Sequence, residues 1–169
     1  MAVKEVLVYP DPRLKEVCAP ITEFDDSVSL LLEDLVDTMV AAGHSVGVAA
    51  SQIGELRRAV VVDVSHSKLG QKQENHGLMQ MVNPEIIQRE GHQIVREGCM
   101  SVPDYTGNVD RAETIVVQFT NENRHRQVIR CEGFEAVAVQ HELDHLDGYL
   151  FLDRVSSLKT DLFRRKQRK

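Results

Sequence analysis

The first clear pattern in the chain is a helical repeat of apolar residues between positions 25 and 43. Apolar side chains recur there at every third or fourth position, the spacing that places them on one face of an α-helix. Asp25, Asp26 or Ser27 can cap the start of this helix, and Gly43 can end it. The pattern therefore predicts an amphipathic helix with an apolar face formed by Val28, Leu31, Leu32, Leu35, Val36, Met39 and Val40.

Shorter apolar runs in the middle of the chain have the length and the β-branched composition of strands. Residues 58–64 predict a buried strand, and residues 79–87 predict a strand that is turned or bulged at Asn83-Pro84. Residues 113–120 and 126–132 flank the polar stretch "NENRH", and together they predict a β-hairpin.

Two further helices are predicted in the last third of the chain. One runs from about Phe134 to Asp147, and a basic helix spans about 156–169, with Ser156 or Ser157 as its cap. Strands in the middle and helices at the ends favour an α+β fold over alternating α/β. A chain of 169 residues suits one domain. We therefore predict a single α+β domain over residues 1–169, with antiparallel or mixed sheets around a central helix and with one helix near each terminus.

The helix predicted over 134–147 is apolar on two sides. At about 100° per residue, one face carries the residues Phe134, Val137, Ala138, His141 and His145. The opposite face carries Ala136, Val139, Leu143 and Leu146. A helix that is apolar on both sides is covered on both sides, so we expect both histidines to point into the protein.

These histidines belong to the sequence His-Glu-x-x-His, formed by His141, Glu142 and His145. Residues four apart lie on one helix face, so both imidazoles can bind one metal ion. A catalytic site of this kind needs a third protein ligand and an open position. The motif therefore predicts a metal site with one ligand elsewhere in the chain.

The third ligand is expected upstream of the motif. No histidine follows His145 and no glutamate follows Glu142; a downstream aspartate (147, 153 or 161) is left only as an alternative without a precedent in spacing. Cys99 is the best upstream candidate, because it follows Gly98 in a turn-to-strand context and its thiolate suits Zn²⁺ or Fe²⁺. The other upstream histidines lie in polar contexts typical of the surface: His44, His66, His76, His92 and His125.

The composition of the chain indicates the cellular compartment in which the protein works. No apolar run approaches the length of a membrane span, and the N-terminus lacks the basic and apolar regions of a secretory signal. Three cysteines, an odd and low number, favour a reducing compartment. We therefore expect a cytoplasmic protein of bacterial type without membrane contact, or alternatively an organelle form whose transit peptide has been removed. Cys18 and Cys131 are expected to be small buried hydrophobic residues.

The net charge of −6 is distributed unevenly. Residues 159–169 contain six basic residues and one acid, a local charge of +5. The favoured interpretation is a solvated last helix with cations at its C-terminal end. The alternative is a weak contact with RNA or another polyanion, without sequence-specific recognition of nucleic acid.

Three segments in order, "GVAASQIG" (47–54), "EGCMS" (97–101) and "HELDH" (141–145), resemble the three signature motifs of peptide deformylases. The stretches "VLVYPDPRLKEVCAPI" (6–21) and "LDGYLFLDRVSSLK" (146–159) are similar to the family's terminal regions. The resemblance implies a hydrolase that removes the formyl group from formyl-methionine at the start of nascent polypeptides. It also implies one divalent ion, Fe²⁺ or alternatively Zn²⁺, Ni²⁺ or Co²⁺, bound by the residues Cys99, His141 and His145.

With that resemblance, the neighbouring residues acquire expected roles. Glu142 is the expected general acid/base for a metal-bound water that attacks the formyl carbon. The side-chain amide of Gln52 and the backbone N–H of Met100 are expected to stabilise the oxyanion. A substrate strand is expected to pair with the loop at Val46, Gly47 and Val48, and an apolar pocket for methionine is expected from Phe134, Val137 and Ala138. Residues expected to support the ligands, or otherwise to be structural, are Glu97, Arg111 and Asp144.

The chain departs from the family pattern at three positions. Ser45 stands where a glycine is usual, Ser51 where a proline is common, and Thr106 near the place of an arginine in many relatives. Ser45 can stiffen the loop expected to bind substrate. In some relatives a basic C-terminal helix docks on the ribosome, which makes a weak ribosome contact a hypothesis for the tail. Two alternative functions are a His-Glu-x-x-His metallopeptidase and a non-catalytic metal-binding module.

Overall fold

Two antiparallel sheets and two α-helices make up the fold in a computed structural model that describes residues 2–165. The helices are α1 (Asp26–Ala42) and α2 (Gly133–Leu146). The strands are β1 (Gly47–Ala49), β2 (Ala59–Val62), β3 (Met79–Glu90), β4 (Gln93–Cys99), β5 (Val102–Arg111), β6 (Thr114–Thr120), β7 (Arg126–Glu132) and β8 (Leu162–Arg164). Short 3₁₀ turns occupy Pro12–Lys15, Ala50–Ile53, Gly70–Lys72 and Phe151–Asp153. This is the predicted α+β class.

Helix α1 confirms its sequence prediction at both ends. The Asp25 carboxylate accepts a hydrogen bond of 3.0 Å from the backbone N–H of Ser27, and the chain leaves the helix at Gly43 with φ of 76°. Most of the apolar face is buried against β1 and β2, where it meets Val48 and Val61. The prediction is wrong for Val40, which is 68% exposed because it lies about 100° round the helix from Met39. None of the helices in the described residues is long and apolar enough to span a membrane.

The larger sheet has the strand order β1-β2-β3-β6-β7, and its neighbouring strands are antiparallel. Strand β3 shifts register between Val82 and Glu85, with Asn83 at φ of 51°, which confirms the predicted bulge. Strands β6 and β7 form the predicted hairpin. Among the described strands β1 pairs with β2 alone, so it is an edge strand of the sheet.

The smaller sheet has the order β4-β5-β8, and it corrects the prediction for the C-terminus. A helix over 156–169 is wrong for residues 156–165, which form turns followed by β8; residues 166–169 lie outside the described part. Pairing with β8 satisfies backbone groups of β5 that would otherwise face solvent, and the guanidinium of Arg96 stacks 3.7 Å over the Phe163 ring. These tertiary contacts outweigh a weak intrinsic preference for helix.

Helix α2 is covered on two sides, as its two apolar faces predicted. One side packs into the core cluster on the larger sheet, which includes Val139 and Leu146. On the other side the His141 ring lies 6.5 Å from the Phe151 ring, beside the smaller sheet. Every residue from Glu135 to His145 except Asp144 is buried. The two histidines are thereby held inside the molecule.

Candidate metal centre and substrate cavity

Three ligand atoms from two elements meet beside α2. Cys99 ends β4 next to a shift in strand register, an irregularity that often re-aims a side chain near a functional site. Cys99 Sγ lies 3.4 Å from His145 Nε2, which lies 3.2 Å from His141 Nε2. All three ligand atoms lie within 4.8 Å of one another. The structure thus brings together the cysteine and both histidines that the sequence singled out.

The spacing of these atoms fits a bound metal ion. Tetrahedral coordination with ordinary metal–nitrogen and metal–sulfur lengths separates two nitrogens by roughly 3.4 Å and a nitrogen from a sulfur by roughly 3.6 Å. The observed separations of 3.2 Å and 3.4 Å are close to these values. Within residues 2–165 the cluster contains no fourth histidine, cysteine or carboxylate ligand. The donor set therefore suits an open site better than a closed structural one.

A buried ion-pair network orients His141. Its Nδ1 lies 2.7 Å from Glu97 Oε1, so Nδ1 carries a proton that it donates to the carboxylate, and Nε2 lies 3.2 Å from His145 Nε2. Arg111 donates two hydrogen bonds to Glu97 and a third, of 2.6 Å, to Asp144. Burial opposes ionisation of Glu97, but the bonds from Arg111 and His141 prevail and lower its pKa to about 2. The network links β4, β5 and α2.

The other two candidate ligands are also held in place. Burial is the largest cause that lowers the pKa of His145, and the neighbouring His141 lowers it further. The low pKa favours the neutral imidazole, which is the form that binds metals. Cys99 Sγ accepts hydrogen bonds of 3.4 Å from the Gln52 side-chain amide and from the Ser101 backbone N–H. These two contacts fix the position of the sulfur beside the imidazoles.

Glu142 lies beside the ligands and faces a cavity. Its Oε1 is buried without a hydrogen-bond partner among the described residues. Burial raises the pKa of this carboxyl to about 7. A Cβ atom at position 47 would lie 2.7 Å from Glu142 Oε2, so only glycine lets β1 pass this close to the carboxylate.

Gln52 is buried with both ends of its amide engaged. Its Oε1 accepts a hydrogen bond of 2.9 Å from Ala49, and its Nε2 donates to Cys99 Sγ and, at 3.0 Å, to Ser101 Oγ. The amide is therefore fixed with its N–H groups beside the ligand cysteine. Met100 is half-buried, and both Gln52 and Met100 line the same cavity as Glu142.

The cavity has a volume of about 560 Å³. Among the residues predicted to bind substrate, it is lined by Val46, Gly47, Phe134, Val137 and Ala138. Val48 does not line it: side chains alternate along a strand, and the Val48 side chain is fully buried beneath α1.

The sequence alone did not identify part of the site. Ser101 contacts both Gln52 and Cys99. In the sequence, only its position inside "EGCMS" indicates that it belongs to the site. The rim of the cavity includes Arg96 and Arg165, which have the appearance of ordinary surface charges in the sequence. The five upstream histidines are exposed, as predicted.

Two of the three departures from the family pattern make specific contacts. Ser45 donates a hydrogen bond of 2.9 Å from its hydroxyl to the Gly47 carbonyl. Ser51 is fully buried, and its hydroxyl lies 3.4 Å from the His145 carbonyl, so it contacts the backbone of the metal-binding helix. Thr106 lies in β5, paired with Phe163 of β8.

A thiolate and two imidazoles around one point, with a buried carboxylate and a cavity beside them, define a metallohydrolase. A family model described as polypeptide deformylase matches residues 3–161. A peptide deformylase from Alkalilimnicola ehrlichii is 43% identical over 169 residues, covering 100% of this chain and 91% of that protein. A peptide deformylase from Xylella fastidiosa is 44% identical over 172 residues, covering 100% of this chain and 96% of that protein.

Solved structures agree with these sequence matches. A crystal structure of a peptide deformylase from Legionella pneumophila superposes with a TM-score of 0.83 at 39% identity, covering 94% of this chain and 89% of that one. A crystal structure of the peptide deformylase from Ehrlichia chaffeensis superposes with a TM-score of 0.86 at 31% identity, covering 94% of this chain and 90% of that one. The chain belongs to the polypeptide deformylase family. Its activity is the metal-dependent hydrolysis of the N-formyl group from formyl-methionine at the start of newly synthesised polypeptides, which releases formate.

Proposed function

We propose that Cys99, His141 and His145 hold the catalytic ion, which is Fe²⁺ in the cell and can be replaced by Zn²⁺, Ni²⁺ or Co²⁺. The convergence of these three ligand atoms beside the buried carboxylate of Glu142 is the observation that carries the proposal. A thiolate and two imidazoles suit these divalent ions. When bound, such an ion supplies Lewis acidity toward the formyl carbonyl and lowers the pKa of water.

Glu142 acts as the general acid/base. Its carboxylate faces the cavity next to the ligands, where it can accept a proton from the attacking water and deliver it to the departing amine. Burial raises its pKa to about 7, so the group can both gain and lose a proton near neutral pH. The nearby Gly47 leaves the carboxylate room to do so.

Gln52 and Met100 stabilise the negative charge that develops on the formyl oxygen. The Gln52 amide is held by Ala49 and Ser101 with its N–H groups beside Cys99, and Met100 follows Cys99 directly. A fixed donor costs no reorganisation as charge develops, so such donors stabilise the transition state more than the substrate.

The substrate lies along the free edge of β1 with its methionine side chain in the cavity. The Asp63 N–H donates to the Val46 carbonyl, so the alternation along an antiparallel strand turns the Gly47 carbonyl toward the free edge. An extended peptide can pair there as an additional strand. Phe134, Val137 and Ala138 offer an apolar surface for the methionine side chain.

Residues 1–169 form one catalytic domain that works in the cytoplasm on nascent chains. A weak ribosome contact through the basic tail completes this proposal. Lys159, Arg164 and Arg165 belong to the described part of that tail, and its remaining cations lie in 166–169. Counterions screen such a contact, so we expect it to weaken as salt rises.

The test compares two cysteine variants for metal content and for formate release from formyl-Met-Ala under anaerobic conditions with Fe²⁺. Cys99→Ser should lower the metal content by one ion per chain and abolish activity, because it removes one of three ligands. Cys18→Ser, a buried free cysteine away from the cavity, should change neither. Wild-type metal content and activity in Cys99→Ser would place the third ligand elsewhere.

A further inference from the structure

A second group of metal-binding side chains lies at the opposite end of α2 from the histidine pair. It consists of His76 from the loop before β3, Cys131 from β7 and Glu135 from the first turn of α2, with their ligand atoms all within 4.8 Å of one another. Glu135 precedes His141 by six residues, or roughly 9 Å along a helix axis. The group is therefore separate from the catalytic ligands.

Two members of this group, Glu135 and Cys131, are buried in the interior, where a polar atom without a partner destabilises the fold. Glu135 and Cys131 are each 1% exposed. Glu135 Oε2 accepts a hydrogen bond of 2.7 Å from the His76 backbone N–H, and Oε1 lies 2.6 Å from His76 Nδ1. Glu135 and Cys131 thus lie inside the protein with the imidazole of the half-exposed His76 beside them, and a bound cation would take the place of the hydrogen bonds that now satisfy the carboxylate.

The loop that carries His76 is organised around this position. Asn75 donates from its side chain to the Gly70 carbonyl at 3.2 Å and accepts from Gly77, at φ of 65°, at 2.9 Å. Three residues before His76, the Gln73 side chain accepts the free N–H of Phe134 at the start of α2, at 2.8 Å. The imidazole is therefore presented by a turn that is fixed on both sides.

A small cavity reaches two members of the group, His76 and Glu135. It has a volume of about 340 Å³ and is lined by Glu74, Asn75, His76, Arg130, Glu132 and Glu135. Its one guanidinium among the described residues is paired with Glu132 at 3.2 Å, which leaves the carboxylate of Glu74, besides that of Glu135, to attract a cation. None of its described lining residues lines the catalytic cavity.

We propose that His76, Cys131 and Glu135 form a second, structural site for a divalent ion of the zinc class. Sulfur, nitrogen and oxygen donors together suit Zn²⁺, which takes four ligands, and the adjoining cavity leaves room for water as the fourth. Binding displaces the thiol proton of Cys131 and replaces the hydrogen bond between His76 Nδ1 and Glu135. The ion joins the loop over residues 65–78 to the start of α2, and Ser67 of that loop lines the catalytic cavity.

The main test uses Co²⁺, which gives a charge-transfer absorption when a thiolate binds it. In the full-length Cys99→Ser variant the catalytic site has no thiolate, so this absorption reports Cys131. We expect saturation at one thiolate-bound ion per chain, and loss of the band in the matched Cys99→Ser/Cys131→Ser variant; Cys18 is present in both. No thiolate band in folded Cys99→Ser at millimolar Co²⁺ would overturn the proposal.

Metal content provides a second test that does not involve the catalytic cysteine. Wild-type protein equilibrated with Zn²⁺ should hold two ions per chain, and His76→Ala, a change at a half-exposed side chain, should bind the second at least about 10-fold more weakly. The catalytic metal and formate release should persist in His76→Ala. One ion per chain in wild type, or an unchanged second affinity in His76→Ala, would refute the site and leave the catalytic assignment unaffected.

Discussion

Glu142 is buried on α2, and its carboxylate lies against Gly47 of β1 at the wall of the cavity. Its pKa of about 7 results from burial, and its orientation depends on the absence of a side chain at Gly47. Proton transfer and close packing at this one residue can therefore be tested separately.

Replacing Glu142 by glutamine should leave the metal bound and lower kcat. The amide keeps the shape of the side chain but cannot accept the proton of water, and general acid/base catalysis contributes about 10²–10⁴-fold. Formate release and metal content should be measured in parallel with Glu122→Gln, a change at an exposed hairpin residue that should match wild type. A kcat within a few-fold of wild type would remove Glu142 from the mechanism.

Gly47→Ala should displace the Glu142 side chain. The new methyl group would lie 2.7 Å from Oε2 and 2.8 Å from Cγ of Glu142, closer than packed atoms approach. Misplacement of a catalytic group by about 1 Å can cost 10²-fold, so we expect kcat/KM for formyl-Met-Ala to fall by about that factor. Thermal unfolding should show that the fold is retained; wild-type kcat/KM would show that the carboxylate moves aside without loss.

At the scale of elements, the Glu97–Arg111–Asp144 network joins β4, β5 and α2, and it gives the protein a specific response to acid. The pKa of Glu97 falls from its ordinary value of 4.5 to about 2 in the folded protein. A depressed carboxyl pKa stabilises the fold above the unfolded value and loses that contribution as pH falls toward the folded value.

The free energy of unfolding should therefore decline between about pH 4.5 and pH 2, with a contribution from Glu97 of at most roughly 3 kcal/mol. Glu97→Gln should lack this contribution and be less stable at neutral pH, since it weakens the bonds to Arg111 and His141. Urea denaturation across this pH range measures the difference between the two proteins. Parallel curves for both would show that Glu97 does not titrate in this window.

How far the sequence predicts an element depends on how local its stabilising contacts are. Helices α1 and α2 carry their own apolar periodicity, α1 also its own cap, and the β6–β7 hairpin its own turn, so these elements were predicted. Strands β4 and β5 are polar and partly exposed, and β8 exists because β5 offers it an edge. That pairing joins residues such as Gly107 and Leu162, far apart in sequence, and no local pattern encodes it.

The same distinction applies to the site. The two histidines and Glu142 follow from spacing within one helix, and Cys99 from its local context and the resemblance. Glu97, Arg111 and Asp144 were named as supporting residues, but their mutual bonds depend on how β4, β5 and α2 meet. Ser101 and the arginines at the cavity rim were missed because only the folded chain brings them there.

Considered as a whole, the molecule places the cavity beside Glu142, where we propose that substrate binds, among α2, the edge strand β1 and the edge strand β4. We expect main-chain groups at these edges and the apolar surface of α2 to leave little space around the reacting carbonyl. The formyl carbon carries only hydrogen, whereas an acetyl carbon carries a methyl group that must fit between the attacking water and these walls.

The enzyme should therefore release formate from formyl-Met-Ala much faster than acetate from acetyl-Met-Ala. A methyl group that merely fits badly costs about 10–200-fold, and one that displaces the carbonyl costs more. Product analysis should show no free alanine, because the Met-Ala bond is left intact. Comparable formate and acetate rates would contradict this account of the cavity, and cleavage after methionine would favour a metallopeptidase.

The edge position of β1 has a wider consequence. A free strand edge usually endangers a protein, because it can pair with any extended chain and start aggregation. In a processing enzyme that lack of discrimination is useful, because every gene product offers the same backbone N–H and C=O groups whatever its side chains. An enzyme that recognises substrates in this way can serve thousands of different N-termini with one binding surface, and only their first residue needs to be alike.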